Sequence, residues 1–400
     1  MMGNTPNIRF KGFTDDWEQR KLGEVFQEYS EKNHPELPAL TIIQGGGTVL
    51  REKSERKLQY DKSSLAWYKM VREDDFIVHL RSFEGGLEKS NHNGLISPAY
   101  HTFHGDEVDS RFYYPYFRSY EFIKHKLVPH VYGIRDGRSI DIDGMKTIEI
   151  PWTSYEEQKK IGDYIESLDT LITLHQRKCD ETKKLKKFML QKMFPKKDEK
   201  KPEIRFAGFT DDWEQRKFPE FVSFYNGLTY TPNDIQEMGT LVLRSSNVKN
   251  GEIVDADNVY VNDKVATSEN VQVGDIIVVV RNGSRALIGK HAQIKASMPN
   301  TVIGAFMSGI RSGQSSFVNA LLDTSAFENE IAKNMGATIN QITGYMFSKM
   351  EFMVPSEEEQ QQIGQYFSNL DHLITLHQRK CDEIKKIKKF MLQNMFPQKG

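Results

Sequence analysis

Apolar residues recur at alternating intervals of four and three along two segments of this chain. This spacing places them at the a and d positions of a heptad, which predicts two long helices that pair as a coiled coil. About 40 residues would form a helix of roughly 60 Å. Further apolar residues widen the stripe, so we expect each helix to contact more than its sister; in the first segment they are Tyr164, Leu171, Leu174, Leu185 and Phe188. The a and d positions are Ile161, Ile165, Leu168, Ile172, His175, Cys179 and Thr182 in the first segment, and Ile363, Phe367, Leu370, Ile374, His377, Cys381 and Ile384 in the second.

The two predicted helices begin and end with matching signals. Each begins with Ser-x-x-Glu, at Ser154 and Ser356, in which the serine oxygen caps the backbone N–H three residues on. Each ends at Met-Phe-Pro, because Pro195 and Pro397 lack the N–H that a helix needs. The helices can pair in either direction. We favour antiparallel pairing, which would relate the two halves by a pseudo-twofold axis and set the two domains at opposite ends.

The chain is an internal repeat whose ends match and whose middles differ. Residues 6–21 and 202–217 are identical at 14 of 16 positions, and residues 156–197 and 358–399 at 31 of 42. The stretches between them, 22–153 and 218–355, share little beyond a pattern of strands and loops. A preserved frame around divergent middles indicates one scaffold that presents two different recognition domains.

Both middles predict mixed α/β domains. Asp75 and Asp275 each follow a tight turn and precede an apolar strand, which leads into a loop with glycine and arginine. Strands are also predicted at 145–150 and 349–354, just before the helices. The predicted fold is α+β, with two mixed α/β domains separated by two long helices that pair as an antiparallel coiled coil. The predicted boundaries are 1–153 for the first domain, 154–197 for the first helix, 198–355 for the second domain with a linker at 198–202, and 356–400 for the second helix.

Composition narrows the functional classes. The net charge of −1 lacks the strong basic excess of non-specific nucleic-acid binders. Because the sequence has no run of about 18 apolar residues and no signal peptide, we expect a soluble cytoplasmic protein. It has no P-loop, HExxH, base-methylation or kinase motif, so we expect no catalysis, metal or cofactor in this chain.

Two patterns allow two interpretations each. His175, Cys179, His377 and Cys381 lie near the helix midpoints, where two histidines and two cysteines could bind zinc. We favour a core layer in which cysteine is a small buried residue. The lysine runs at 183–187 and 385–389 fit solvation and the helix dipole. The alternative is contact with DNA phosphates or an acidic partner.

Loop residues of both domains are the candidates for base contacts. Arginine suits O6 and N7 of guanine, and asparagine or glutamine suits N6 and N7 of adenine. Loops of this composition are common, so each assignment is a hypothesis. The candidates are Arg81, Lys89, Arg135 and Arg138 in the first domain, and Arg281, Asn282, Arg285, Asn340 and Gln341 in the second.

The order domain–helix–domain–helix, with both helices ending in Met-Phe-Pro, resembles the specificity subunits of Type I restriction–modification systems. The segments at 94–100 (GLISPAY) and 336–341 (GATINQ) resemble the same family. The resemblance covers the whole chain. It implies that each domain is a target-recognition domain that reads one half of an asymmetric, interrupted DNA site.

The same resemblance implies partners. The helices would set the spacing of the domains and dock two methyltransferase subunits, to which two restriction (translocase) subunits add. We assign the docking to Leu171, Leu174, Leu373 and Leu376. S-adenosylmethionine, ATP and Mg²⁺ would be bound by those partners. The alternative function is a coiled-coil scaffold that presents two protein-binding domains and binds no DNA.

Overall fold

The computed structural model describes residues 5–54, 62–79, 86–133, 139–335 and 340–397. The chain divides into two compact units, one of residues 1–175 with 379–400 and the other of residues 176–378. The division falls inside both long helices. Each unit therefore contains one α/β domain together with one half of each helix.

The first domain consists of short strands and helices, and the first long helix follows it. Within the described residues its strands are β1 (Glu18–Lys21), β2 (Gln27–Tyr29), β3 (Leu40–Ile43), β4 (Gly47–Leu50), β5 (Lys69–Val71), β6 (Phe76–His79), β7 (Glu88–Lys89), β8 (Gly94–Ile96), β9 (Tyr100–His104), β10 (Val131–Tyr132), β11 (Ser139–Ile140) and β12 (Glu149–Trp152). The α-helices are α1 (Leu22–Val25), α2 (Ser110–Phe117), α3 (Ile142–Lys146) and the long helix α4 (Tyr155–Met193).

The second domain has the same general composition. Within the described residues its strands are β13 (Glu214–Lys217), β14 (Ser223–Asn226), β15 (Ile235–Gln236), β16 (Thr240–Leu243), β17 (Val248–Lys249), β18 (Glu252–Ile253), β19 (Val259–Val261), β20 (Ile276–Val279), β21 (His291–Gln293), β22 (Thr301–Ile303), β23 (Met307–Arg311) and β24 (Glu351–Val354). The α-helices are α5 (Ser315–Leu322), α6 (Ser325–Asn334), α7 (Gly344–Lys349) and the long helix α8 (Glu357–Asn394).

One four-stranded antiparallel sheet recurs in both domains. Its strand order is β2-β9-β6-β7 in the first domain and β14-β23-β20-β21 in the second. The strand predicted after the aspartate is central in each sheet, with Phe76 opposite Phe103 and Ile276 opposite Ile310. The second domain adds a mixed sheet of order β15-β19-β16-β22, in which β16 and β22 are parallel. The common skeleton inferred from two dissimilar sequences is therefore confirmed.

A strand precedes each long helix, as predicted, but the predicted bounds were wrong. Residues Ile142–Lys146 form α3 and Gly344–Lys349 form α7, so the strands begin at Glu149 and Glu351. Met145 is completely buried, and the hydroxyl of Thr147 donates a hydrogen bond to the carbonyl of Gly144, which closes α3. The apolar alternation over 145–150 is too short to distinguish a strand from this turn of helix.

The repeated sequence Glu-Gln-Arg-Lys has the same structural role in each half. It forms β1, which pairs antiparallel with β12, and β13, which pairs antiparallel with β24. In both cases the first strand of a domain is joined to its last strand, and that last strand leads into the long helix. The duplicated residues thus form the base of each domain.

A buried glutamate begins each long helix. The serine caps form as predicted, with 3.4 Å from the N–H of Glu157 to Ser154 Oγ and the same distance from Glu359 to Ser356. The glutamate side chains are instead bound by arginine. Arg9 donates two hydrogen bonds of 2.6 and 2.8 Å to Glu157, and Trp17 Nε1 donates a third at 3.0 Å. In the second unit Arg205 donates two bonds of 2.7 Å to Glu359.

The Met-Phe-Pro ends of the long helices are inserted into the domain cores. In the first unit the ring of Phe396 lies 6.1 Å from that of Trp17 and 5.0 Å from that of Phe112. In the second unit the ring of Phe194 lies 5.8 Å from that of Trp213. The end of each helix therefore packs against the domain of its own unit, beside the beginning of the other helix.

Contacts inside each unit confirm the antiparallel pairing. In the first unit Lys388 of α8 forms an ion pair with Asp169 of α4. In the second unit Lys186 of α4 lies 2.6 Å from Asp371 of α8. The a and d residues are mostly buried in both helices, so the predicted seam is also confirmed. The buried seam residues include Ile161, Ile165, Leu168, Cys179, Ile363, Phe367, Leu370 and Cys381.

A buried aspartate stabilises the central sheet of the second domain. Asp275 is bound by Arg311 at 2.8 and 2.9 Å, by the Tyr225 hydroxyl at 2.9 Å and by the N–H of Gln272 at 2.9 Å. Burial alone would raise the pKa of Asp275, but these hydrogen bonds outweigh it and hold the pKa below its usual value.

We expect Glu157→Gln to destabilise the first unit by about 3 kcal/mol, because it removes one partner of a buried ion pair and leaves Arg9 without its counter-charge. Urea unfolding of the purified protein measures the loss. The matched control is Glu156→Gln, since the neighbouring side chain is exposed. An equal midpoint for the two variants would contradict the structural role of this pair.

The Asp275 interaction also predicts a pH dependence. A carboxylate whose folded-state pKa is lowered contributes stability above its unfolded pKa and loses it as the pH falls through the folded value. Asp275→Asn should therefore be less stable near pH 7 and should lose less stability than the wild type between about pH 5 and about pH 2. Urea midpoints across this range test it, with the exposed Glu237→Gln as the control. An unchanged pH slope in Asp275→Asn would count against it.

Candidate nucleic-acid interface

Four loops of the second domain meet where the central strand β20 ends. We call them the loop cluster, defined as residues 244–245, 281–285, 304–306 and 340–341. All four residues of β20 are completely buried, so the strand gives the loop that follows it a rigid base. The N–H of Ile342 donates to the carbonyl of Val280 at 2.8 Å, which joins the segment at 340–342 to the end of the strand.

The cluster contains all five residues predicted for this domain. Arg281 and Gln341 form an antiparallel bridge between two loops that lie far apart in sequence. The N–H of Asn282 lies 3.4 Å from the carbonyl of Asn340, and Arg285 begins a 3₁₀ turn at the end of the first loop. These contacts bring the predicted residues together. Whether they contact bases stays a prediction.

The two asparagine side chains also stabilise the loops. Asn282 Nδ2 donates to Ser245 Oγ at 3.3 Å, and its Oδ1 accepts from the N–H of Ser284 at 3.0 Å. Asn340 Nδ2 donates to the carbonyl of Gly283 at 3.1 Å. Part of each amide is therefore already engaged, which leaves fewer groups free for adenine.

Arg281 and Arg285 differ from two other arginines of the second domain. Arg244 and Arg311 form ion pairs with carboxylates. Arg281 and Arg285 are exposed, and no carboxylate in the described part of the chain lies within ion-pair distance of either. The guanidinium of Arg281 instead lies 5.1 Å from the ring centre of Phe306. Unpaired guanidinium groups on a rigid loop are available to a ligand with acceptors, such as a base edge or a phosphate.

The structure says less about the four base-contact candidates of the first domain. Lys89 lies on β7 and forms an ion pair of 2.8 Å with Asp74, whose other contact is the hydroxyl of Ser110. Its ammonium is thus engaged within the domain. The other three candidates, Arg81, Arg135 and Arg138, lie outside the described residues.

The glycine run of the first domain forms a turn around a buried carboxylate. Glu88 accepts hydrogen bonds from the N–H groups of Gly45 at 2.8 Å and Gly47 at 3.3 Å. The hydroxyl of Tyr114 at 2.7 Å and the guanidinium of Arg118 also donate to it. The run therefore serves the fold of the domain. This agrees with the absence of a dinucleotide-binding frame in the sequence.

The four docking candidates lie on the exposed surface of the helices. Leu171, Leu174, Leu373 and Leu376 are 42%, 43%, 41% and 39% exposed. They occupy the g and c positions of the heptads, beside the seam. Further exposed apolar residues share these positions, and the docking assignment did not include them. They are Ile387 and Phe390 in the first unit, and Leu185 and Phe188 in the second.

The structure also bears on the two lysine runs and on the histidines and cysteines near the helix midpoints. Lys186 and Lys388, one from each lysine run, form ion pairs with the opposite helix, so these two lysines stabilise the seam. Each cysteine thiol faces a carbonyl of the opposite helix, with Cys179 Sγ 3.8 Å from the oxygen of Ile374. Within the described ranges, no group of three or more His, Cys, Asp or Glu residues is arranged to hold a metal ion.

Ser245 and Phe306 are members of the cluster that the sequence did not nominate. Both come from loops whose partners are distant in sequence, so only the pairing of strands reveals them. The phenylalanine two residues after Gly304 is a sequence signal that could have suggested Phe306. Among all the described residues, no helix is both long enough and apolar enough to span a membrane.

Comparisons with known proteins agree with this architecture. The family model for the Type I restriction modification DNA specificity domain matches residues 210–386. The MjaVIII specificity subunit of Methanocaldococcus jannaschii is 26% identical over 263 residues, which are 62% of this chain and 61% of that protein. The StySPI specificity subunit of Salmonella potsdam is 23% identical over 45% of this chain and 40% of that protein. The chain thus spans less than two thirds of the length of these relatives.

The fold also has a solved counterpart. The S subunit of a Type I restriction–modification system from M. genitalium superposes with a TM-score of 0.67 at 13% identity, covering 99% of this chain and 100% of that one. The chain thus belongs to a class of proteins with an internal repeat, in which each half contributes one α/β domain and one long helix. The resemblance noted in the sequence is confirmed, and the chain is similar in sequence and fold to the specificity subunits of Type I restriction–modification systems.

Proposed function

We propose that this chain reads a bipartite, asymmetric DNA site for a Type I restriction–modification complex, with one domain for each half-site. The observation that carries the proposal is a repeated frame with an identical sheet order but unrelated loops. Two different sets of loops on one scaffold suit two different half-sites. The loop cluster of the second domain supports this, because it offers unpaired arginine and polar side chains on a rigid base.

The antiparallel helices would hold the two domains at the spacing that the DNA requires. Half-sites read from one face of the duplex lie about one helical turn, roughly 34 Å, apart or a multiple of it. A coiled coil resists bending better than a flexible linker does, so the spacer length would be a property of the helices. The net charge of −1 suggests that partner subunits supply much of the phosphate contact.

The exposed apolar g and c positions would dock two methyltransferase subunits, and the restriction subunits would join through them. These leucines lie beside the seam and keep about two fifths of their surface exposed, which leaves apolar surface for a partner. Since the two units present equivalent residues, two copies of one partner could bind. The chain would be non-catalytic, with S-adenosylmethionine, ATP and Mg²⁺ bound by the partners.

Exchange of one domain tests the proposal. Residues 22–148 lie between β1 and β12 and can be replaced by the matching segment of another specificity subunit, which leaves the β1–β12 pair intact. We expect one half-site to change and the other half-site and the spacer to remain. The reciprocal exchange of 218–350, between β13 and β24, should change the other half-site.

The readout of both exchanges is the set of DNA bases methylated in cells that carry the assembled complex. A change in both half-sites, or in neither, would refute the division of labour. Methylation that ignores DNA sequence altogether would favour the scaffold interpretation.

Charged substitutions test the docking surface. Leu171→Glu with Leu174→Glu should abolish co-purification of at least one methyltransferase subunit, because each charge would be buried without a partner. The matched control is Thr170→Glu with Thr173→Glu, which adds the same charge on the same turns at exposed f and b positions. Circular dichroism checks that both variants keep their helices. Equal co-purification of both double variants would show that docking occurs elsewhere.

A further inference from the structure

We propose that Phe306 is a specificity-determining residue, which contacts the C5-methyl group of a thymine next to a base bound by Arg281. This inference rests on the proposed function, since it concerns the half-site read by the second domain. Phe306 is not among the residues predicted from the sequence to contact bases, and its side chain is apolar.

Phe306 occupies a rigid position at the tip of the β22–β23 turn. Its carbonyl accepts hydrogen bonds from the N–H groups of Val280 at 3.0 Å and Arg281 at 3.2 Å. The N–H of Met307 closes the turn on the carbonyl of Gly304 at 2.8 Å. The backbone is therefore held on both sides. The side chain nevertheless remains 56% exposed.

The ring lies beside a cation that has no carboxylate partner in the described residues. The guanidinium of Arg281 is 5.1 Å from the ring centre, within the range of a cation–π contact. This contact orients the guanidinium against the ring, and within the described residues no carboxylate binds its N–H groups. A pre-oriented guanidinium loses less conformational entropy when it binds a ligand.

Exposure alone does not distinguish Phe306, because single exposed apolar residues are ordinary on protein surfaces. Val273 is 62% exposed in the same domain, but it precedes β20 and so lies at the opposite end of that strand from the loop cluster. Phe306 combines exposure with a fixed backbone, a neighbouring unpaired arginine and a position among polar loops. These features together define a mixed apolar and cationic surface.

The DNA major groove presents a matching surface. Thymine carries the only methyl group among the unmodified bases, and apolar side chains including phenylalanine contact it there. Arginine binds O6 and N7 of guanine on the same groove edge. A phenylalanine and an arginine in contact therefore suit a guanine with a thymine at the adjacent position.

The test uses the complete complex and synthetic duplexes that carry the mapped site. In each duplex one thymine of the second half-site, on either strand, is replaced by deoxyuridine, which lacks only the methyl group. For the wild-type complex we expect one such replacement to weaken binding about fourfold, as one buried methyl group predicts. For Phe306→Ala the same replacement should have no effect, and Phe306→Leu should retain part of it.

The control variant is Val273→Ala, which should keep the full wild-type sensitivity to deoxyuridine. The inference is overturned if the wild-type complex responds to no thymine replacement, if the half-site contains no thymine, or if Phe306→Ala keeps the response. A wild-type complex that binds no DNA site specifically would refute the proposed function itself. The two failures are therefore distinguishable.

Discussion

The buried arginine–glutamate pair at the beginning of each long helix is the interaction on which the rest of the structure depends. Glu157 is completely buried, and an ionised carboxylate in that environment is tolerable only when its hydrogen bonds are satisfied. Arg9 and Trp17 supply them from the N-terminal repeat, 148 and 140 residues away in sequence. Because the bonds are directional, they fix the repeat segment, the β1–β12 pair and the helix start against one another. Arg205 and Glu359 repeat the arginine–glutamate pair in the second unit, where the indole N–H of Trp213 has no hydrogen-bond partner among the described residues.

This constraint explains why the ends of the repeat match while the middles differ. The frame needs the arginine, tryptophan and glutamate, the paired strands and the Met-Phe-Pro end of the opposite helix. The middle of each domain needs only to form the common sheet and to satisfy its buried polar groups. Asp275 and Asp75 illustrate this freedom, since each is bound by a tyrosine hydroxyl in an otherwise dissimilar sequence. The loops beyond the sheet carry no part of the frame and can change with the ligand.

The elements governed by local pattern were predictable, and the contacts governed by long-range pairing were not. Heptad spacing and caps identified both long helices, and the turn before Asp275 identified a central strand. The glutamate of each Ser-x-x-Glu motif suggested a local cap, whereas its side chain binds an arginine distant in sequence. Arg281 and Gln341 were nominated from separate loops, but only the bridge between them unites the cluster. Phe306 was missed because its position depends on hydrogen bonds from Val280 and Arg281. These residues are distant from Phe306 in sequence, so no local pattern reveals the contact.

The net charge of the chain and its proposed choice of DNA sequence depend on different residues. Most arginines of the second unit form ion pairs within the protein, and the net charge is −1, so we expect the chain by itself to attract DNA only weakly. Arg281 and Arg285 lie in the loop cluster and have no carboxylate partner among the described residues, and for such groups orientation matters more than total charge. In the proposed complex, affinity would then come from the partners and sequence choice from the loops. A domain could change its half-site without disturbing the affinity of the assembly, because the two properties reside on different surfaces.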